Sequence, residues 1–331
     1  MFFRNKIEKL ADYLTHLPIL GLDISENVLR FLKFGSRRNP ELEFFGEVEI
    51  PAGVLRNGEV ADEEKFVYFL QNWRVREAKR IGNNISLAFS LPDKSILKIV
   101  SVPQKNSMSP KEAVRREIAA VFPGNTNDFY YDYEVLKPLE GEFDHWDAVI
   151  AAFPRNVADP FTRSLEKVGF SFFSLEPKMQ AAGRAILPPV RDKKPILIVD
   201  LSKDKMGFGF FAGGSAVSVG REVLPDNLSG DISQKAEVLA RLISGNIENY
   251  KQNSAHIHGA EKEINSVVLL GGGSVLPALD SHLARILRCS VTVANPKKFM
   301  PMQSSESLRF LPKNKEPIFT AAVGLAMKNW E

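Results

Sequence analysis

Several things are scarce in this chain of 331 residues, and each scarcity closes off a class of function. Cysteine occurs once, at Cys289, so no disulfide forms within the chain and a reducing compartment suits it. Cys289 lies in the mixed stretch Leu287-Arg288-Cys289-Ser290-Val291 and reads as a small near-core residue. Histidine occurs five times. His256 and His258 are close, but no acidic or cysteine partner stands at metal-ligand spacing. Excess charge is lacking too. The 43 basic and 40 acidic residues leave +3, too little and too evenly spread to argue for nucleic acid. No apolar run approaches the ~20 residues that span a bilayer.

What remains is a globular composition, 44% apolar and 25% charged, with length for two domains. The first 18 residues are not a signal peptide. Phe3, Ile7, Leu10, Leu14 and Leu17 share one helical face, with Glu8 and Asp12 between them, and predict an N-terminal helix that packs on the body.

An internal repeat organises the rest. Ile19-Leu20-Gly21-Leu22-Asp23-Ile24-Ser25 returns as Ile196-Leu197-Ile198-Val199-Asp200-Leu201-Ser202. Both are apolar strand runs ending in Asp, an apolar residue and Ser. More strand material follows each: Val28 to Phe34 and Leu42 to Ile50 in the first half, Phe208 to Phe211 and Ala216 to Val219 around Gly213-Gly214 in the second. Helical spacing then takes over, at Phe66, Phe69, Leu70 and Trp73, and at Ile232, Ala236, Leu239, Ile243, Ile247 and Tyr250. Two related α/β lobes are implied.

An extra block interrupts the first lobe. Ser95 to Val102 reads as a strand, and Ser109-Pro110-Lys111-Glu112 as a capping box. Val114, Ile118, Val121 and Phe122 mark a short helix. Tyr131 to Leu136 and Asp147 to Phe153 are two further strands, before a helix from Val157 that ends at Gly169. Near the end, the strand Ile264 to Leu270 runs into Gly271-Gly272-Gly273-Ser274, and a last helix is rich in small residues from Thr320 to Ala326.

Three features point to a nucleotide. Glycines after a strand let backbone approach a base or ribose, and amides at a helix start favour anions. Such turns also occur in α/β proteins without any ligand. A carboxylate at a strand end beside a hairpin, as at Asp23 and Asp200, can hold hydrated Mg²⁺ next to phosphates, or it can simply cap its own turn. Both Asp strands and the later glycine loop, in this order, say more than any one of them.

That order resembles the actin, Hsp70 and sugar-kinase superfamily, and more closely the type IV pilus assembly PilM family. The carriers are Gly21-Leu22-Asp23-Ile24, Ser90-Leu91-Pro92, Val102-Pro103, Ser174-Leu175-Glu176-Pro177, Val199-Asp200-Leu201, Leu270-Gly271-Gly272-Gly273, Asn295-Pro296 and the Thr320 to Met327 helix. The resemblance implies a two-lobed actin-like (ribonuclease H-like) α/β fold with an inserted strand-helix-strand-strand subdomain. It implies a first lobe at 19–92 and 170–190, an insert at 93–169 and a second lobe at 191–331. It also implies a cytoplasmic scaffold, peripheral to the inner membrane through partners. Such a scaffold docks the cytoplasmic tail of a PilN-like membrane protein beside the insert, with pilus motor ATPases as further partners. Phe122, Phe129 and Tyr131 are candidate anchors for that tail.

The resemblance further implies ATP, with Mg²⁺ on Asp23 and Asp200. Ser25, Ser202, Lys203, Gly271, Gly272, Gly273 and Ser274 complete the expected cofactor site. The sequence departs from the family at both phosphate loops, which read Ser25-Glu26-Asn27 and Ser202-Lys203-Asp204-Lys205-Met206, with no glycine. A Glu26 carboxylate beside a phosphate at ~4 Å costs about 4 kcal/mol at an effective dielectric of ~20. No residue matches a water-activating base, so a weak cleft without hydrolysis is expected. The alternatives are an active ATPase of the same fold and an FtsA-like division protein. Only Lys328-Asn329-Trp330-Glu331 follows the last helix, so an amphipathic anchoring tail of the FtsA kind is not expected.

Overall fold

The computed structural model describes residues 18–36, 39–82, 85–92, 95–103, 112, 114, 116, 118, 126–136, 145–187, 194–212, 214–225, 230–253, 263–299 and 311–328. The expected N-terminal helix, the Ser109–Lys111 part of the capping box, Phe122, His256 and His258 lie outside these residues. The chain divides into two compact units, 1–92 with 157–186 and 296–331, and 93–156 with 187–295.

The first unit is built on a five-stranded sheet. The meander β1 (Ile19–Ile24), β2 (Val28–Ser36) and β3 (Asn39–Glu49) is antiparallel, and β6 (Ser86–Ser90) and β10 (Ser171–Leu175) continue it in parallel beside β1. From the meander edge the order is β3-β2-β1-β6-β10. Every residue of β1 is buried, as a central strand covered on both faces requires. A two-stranded ribbon, β4 (Leu55–Arg56) and β5 (Glu59–Val60), precedes helix α1 (Glu63–Ile81).

Helix α1 starts where Asp62 Oδ1 accepts the Lys65 amide at 3.0 Å and stops at Gly82, whose φ of 78° suits glycine. Its apolar face buries Phe66, Phe69, Leu70 and Trp73, as the spacing predicts. Helix α2 (Arg155–Lys167) packs Phe161 edge-on to Phe66 and ends at Gly169, φ 81°. Helix α3 (Lys178–Ile186) follows β10.

The second unit repeats the plan. Strands β11 (Ile196–Leu201), β12 (Lys205–Ala212) and β13 (Ser215–Val223) form the meander, and β14 (Ser266–Leu270) and β15 (Ser290–Val293) add in parallel, in the order β13-β12-β11-β14-β15. The duplication extends to packing. Phe31 of β2 lies opposite Gly46 of β3, and Phe208 of β12 opposite Gly220 of β13. A Cβ on either glycine would stand 2.8 Å from the phenylalanine Cε2. Helix α4 (Ile232–Asn253) starts where Asp231 caps the Gln234 amide at 2.9 Å, and stacks Tyr250 on Phe210 with ring centroids 4.3 Å apart. Helix α5 (Leu279–Leu287) lies between β14 and β15 in the chain.

The strands of the insert, expected to interrupt the first lobe, group with this second unit, whereas 157–169, expected to close the insert, groups with the first. The insert's sheet has the order β7-β9-β8, with β7 (Ile96–Pro103), β9 (His145–Pro154) and β8 (Phe129–Leu136) all antiparallel. Val114 and Ile118, in a helical stretch, join Val100, Ala148, Ile150 and Ala152 in its core. Phe129, half-buried, packs against this core. Ser215 Oγ at the start of β13 donates to Glu134 Oε2 of β8 at 3.0 Å.

The last helix, α6 (Glu316–Ala326), belongs to the first unit and passes β1 and α3. Its small residues do what the sequence suggests. A Cβ on Gly324 would collide with the Ala181 carbonyl of α3. Arg184 of α3 donates to the Gly324 carbonyl at 2.9 Å and forks onto Glu176 at 3.1 and 2.6 Å.

Candidate functional site

Both Asp-tipped hairpins close in the same way. The Ser25 amide donates to the Val28 carbonyl at 2.9 Å, and the Ser202 amide to the Lys205 carbonyl at 2.9 Å. Each loop is therefore a tight turn that uses its first amide internally. An anion at either loop loses that donor. Glu26, expected beside the phosphates, instead accepts the Asn57 amide at 3.0 Å and ties the first turn to the β4–β5 ribbon.

Asp23 is 1% exposed at the end of β1. Ser90, its parallel neighbour on β6, donates its hydroxyl to Oδ1 at 3.0 Å. Oδ2 has no hydrogen-bond partner but faces two cations, Lys178 Nζ at 3.6 Å and Arg30 Nη1 at 3.9 Å. Arg30 is the antiparallel partner of Asp23 in the hairpin, and Lys178 opens α3. Arg30 also reaches Glu47 at 3.3 Å, which binds Lys315 at 2.6 Å. Desolvation would raise the Glu47 carboxyl, but the hydrogen bond and charge of Lys315, with those of Arg30, outweigh it and hold it below 4.5.

The actin-like resemblance calls for Mg²⁺ here, and the surroundings of Asp23 test the fit. A divalent ion ~4 Å from a unit positive charge is opposed by about 8 kcal/mol at an effective dielectric of ~20, and two such charges are present. The surroundings of Asp23 are those of a carboxylate neutralised by its own chain and do not fit a divalent ion. No group of three or more His, Cys, Asp or Glu able to hold a metal occurs among the described residues.

Asp200 is 5% exposed at the end of β11, and its antiparallel partner is Gly207 rather than an arginine. On its other side runs the glycine turn. Gly271 has φ 84°, and a Cβ there would strike Asp200 Oδ1 and the Leu201 carbonyl. Gly273 would press on Leu201 Cβ at 2.8 Å. Ser274 is buried and donates to the Gly271 carbonyl at 2.7 Å, so its hydroxyl closes its own turn. These three residues are explained by packing. Gly272 is not: a side chain there meets nothing within 4 Å.

Gly272 opens onto a cavity of about 370 Å³. Ser202, Lys203 and Gly273 also line it, with Leu201, Leu224, Leu276 and, from α4, Lys235 and Leu239. The volume lies in the ordinary range for small-molecule sites, and the mixture of apolar walls and two ammonium groups suits a flat ring bearing an anionic group. The sequence reading missed Lys235, whose one signal is a lysine four residues before Leu239 on the helix that follows the meander. Ser90, Lys178 and Arg30 were missed as well. Burial pushes the Cys289 thiol up, away from the thiolate a nucleophile needs.

Residues 224–330 match the family model of the type IV pilus assembly protein PilM. The chain also superposes on a solved structure described as a PilM-PilN type IV pilus biogenesis complex. There the identity is 21%, with a TM-score of 0.70 over 96% of this chain and 99% of that one. The ethanolamine utilization protein EutJ from Carboxydothermus hydrogenoformans is also similar, at 13% identity and a TM-score of 0.51 over 93% of this chain and 88% of that one. The fold is actin-like. The resemblance to PilM drawn from the sequence is borne out by both the family match and the fold. No curated protein sequence matches this chain. No helix among the described residues is long and apolar enough to cross a membrane.

Proposed function

We propose that this chain is a PilM-like scaffold of type IV pilus assembly that docks the cytoplasmic tail of a PilN-like inner-membrane protein. Such a scaffold works in the cytoplasm and meets the membrane through its partner, with pilus motor ATPases as further contacts. The observation that carries the reading is the edge of β8. Among the described residues this strand pairs only with β9, and its outer edge carries Tyr130 and Tyr131, 42% and 41% exposed. Arg155 stacks on the Tyr130 ring at 3.9 Å and holds it in place. An extended peptide adds to such an edge through main-chain hydrogen bonds, with aromatic side chains as anchors. The family match and the likeness to a PilM-PilN complex support the identity of the peptide.

The cavity beside Gly272 supports a nucleotide as the ligand of the second unit. ATP would place its base or ribose against Gly272 and its charge near Lys203 and Lys235. Asp200, one residue behind the cavity wall at Leu201, is the carboxylate through which hydrated Mg²⁺ would be held.

The test is titration of a fluorescent PilN-tail peptide. Micromolar binding is expected, with a loss of about tenfold in Tyr131→Asp, on the scale of a buried aromatic anchor. Unchanged affinity in Tyr131→Asp and in a Tyr130→Asp companion would place the docking site elsewhere.

A further inference from the structure

The two Asp-tipped strands have the same topology and different electrostatic surroundings. Asp200 faces Gly207 across its hairpin; Asp23 faces Arg30. Asp200 is followed by the glycine turn of its parallel neighbour, whereas Asp23 is met by Lys178 at the start of α3, whose side chain is only 11% exposed. Both charges converge on one oxygen. Oδ2 of Asp23 is buried, lacks any hydrogen-bond partner and lies 3.6 Å from Nζ of Lys178 and 3.9 Å from Nη1 of Arg30. Oδ1 is already taken by Ser90.

An oxygen left without hydrogen bonds in a buried carboxylate is the oxygen a metal would use. Here the compensating charge comes from the chain. An ammonium on a four-carbon stem is a compact point charge that can stand where a small cation stands. It also ties the start of α3 to the end of β1.

We propose that Lys178, assisted by Arg30, replaces the divalent ion at Asp23, so that the first Asp strand of this actin-like chain is metal-independent. The compensating charge there is tethered to the chain and insensitive to chelators. Any divalent ion bound by the chain then belongs to the second unit, at Asp200. The inference is independent of the docking reading and of nucleotide binding, because it concerns the free chain alone.

The experiment is thermal melting of the full chain in EDTA and in millimolar Mn²⁺, for wild type and the variants Asp23→Asn, Asp200→Asn, Lys178→Met and Lys178→Met with Asp23→Asn. Asp23→Asn is expected to melt about 5 °C lower than wild type in both buffers alike, since it removes the carboxylate that Lys178 and Arg30 both face. Lys178→Met bares the carboxylate and is expected to gain a Mn²⁺-dependent rise in melting temperature. The added Asp23→Asn removes that rise. Any rise seen in wild type should vanish in Asp200→Asn. A rise in wild type that disappears in Asp23→Asn overturns the proposal. So does a Lys178→Met chain that folds in EDTA and is unmoved by Mn²⁺, because the lysine is then not what excludes the ion. Should Lys178→Met not fold, Lys178→Gln serves, and Mn²⁺ electron paramagnetic resonance on wild type and Asp23→Asn decides the same point directly.

Discussion

Gly21 of β1 runs against Ala322 of α6 so closely that a Cβ would collide with the Ala322 carbonyl and lie 2.7 Å from the Ala326 amide nitrogen. The obstruction is backbone on a helix packed from both sides, so it cannot swing away. Gly21→Ala is expected to lose at least ~2 kcal/mol of stability, read as a fall of several degrees in melting temperature. Gly272→Ala, whose Cβ meets open space, is expected to melt as wild type does. Equal melting of Gly21→Ala and wild type would show that β1 and α6 are not packed in this way.

Arg184 and Glu176 form a bidentate pair with both side chains 7% exposed. Arg184→Met leaves a buried carboxylate with, among the described residues, the more distant Lys328 at 3.7 Å as its cation, and frees the Gly324 carbonyl. A loss of about 3–5 kcal/mol is expected by urea denaturation. Replacing both residues together should recover much of it. A single variant within ~1 kcal/mol of wild type would contradict the pairing.

Glu47 sets a pH dependence with a definite sign. Its folded value is held below 4.5 by Lys315 and Arg30 against the opposing effect of desolvation. Its interactions therefore stabilise the fold fully above the ordinary carboxylate range and lose that contribution as pH falls through the lowered folded value. The difference in urea midpoint between wild type and Glu47→Gln should be largest at neutral pH and vanish in acid. A difference that grows on acidification would reverse the assignment.

Both phosphate-side turns close on their own serine amides, at Ser25 and Ser202. Purified chain is therefore expected to show no ATP turnover above a heat-treated control in a phosphate-release assay. Steady turnover abolished by Asp200→Ala would refute this and favour the active ATPase alternative.

The duplicated strand run ending in Asp23 and Asp200, the helix spacings at Phe66 and Ile232, and the small residues of α6 are local patterns. Period and composition are written along the chain, so the sequence alone determined the two Asp-tipped strand meanders, the amphipathic helix after each and the close-packed last helix, whereas the grouping of the insert's strands with 187–295 and of the last helix with 1–92 was decided by tertiary contacts. The sequence also determined that neither phosphate loop contains glycine. Even the Asp23–Arg30 pairing is local, since a tight turn at Glu26-Asn27 sets that register. Other relationships needed tertiary structure because they join residues far apart in sequence. The approach of Lys178 to Asp23 depends on β10 docking in parallel on β6. The empty space at Gly272 and the collision at Gly271 look identical in a run of three glycines. They differ only because β11 lies beneath one and a cavity beside the other. Phe208 over Gly220, like Phe31 over Gly46, is a contact between strands, fixed once register brings an aromatic ring opposite a residue with no side chain.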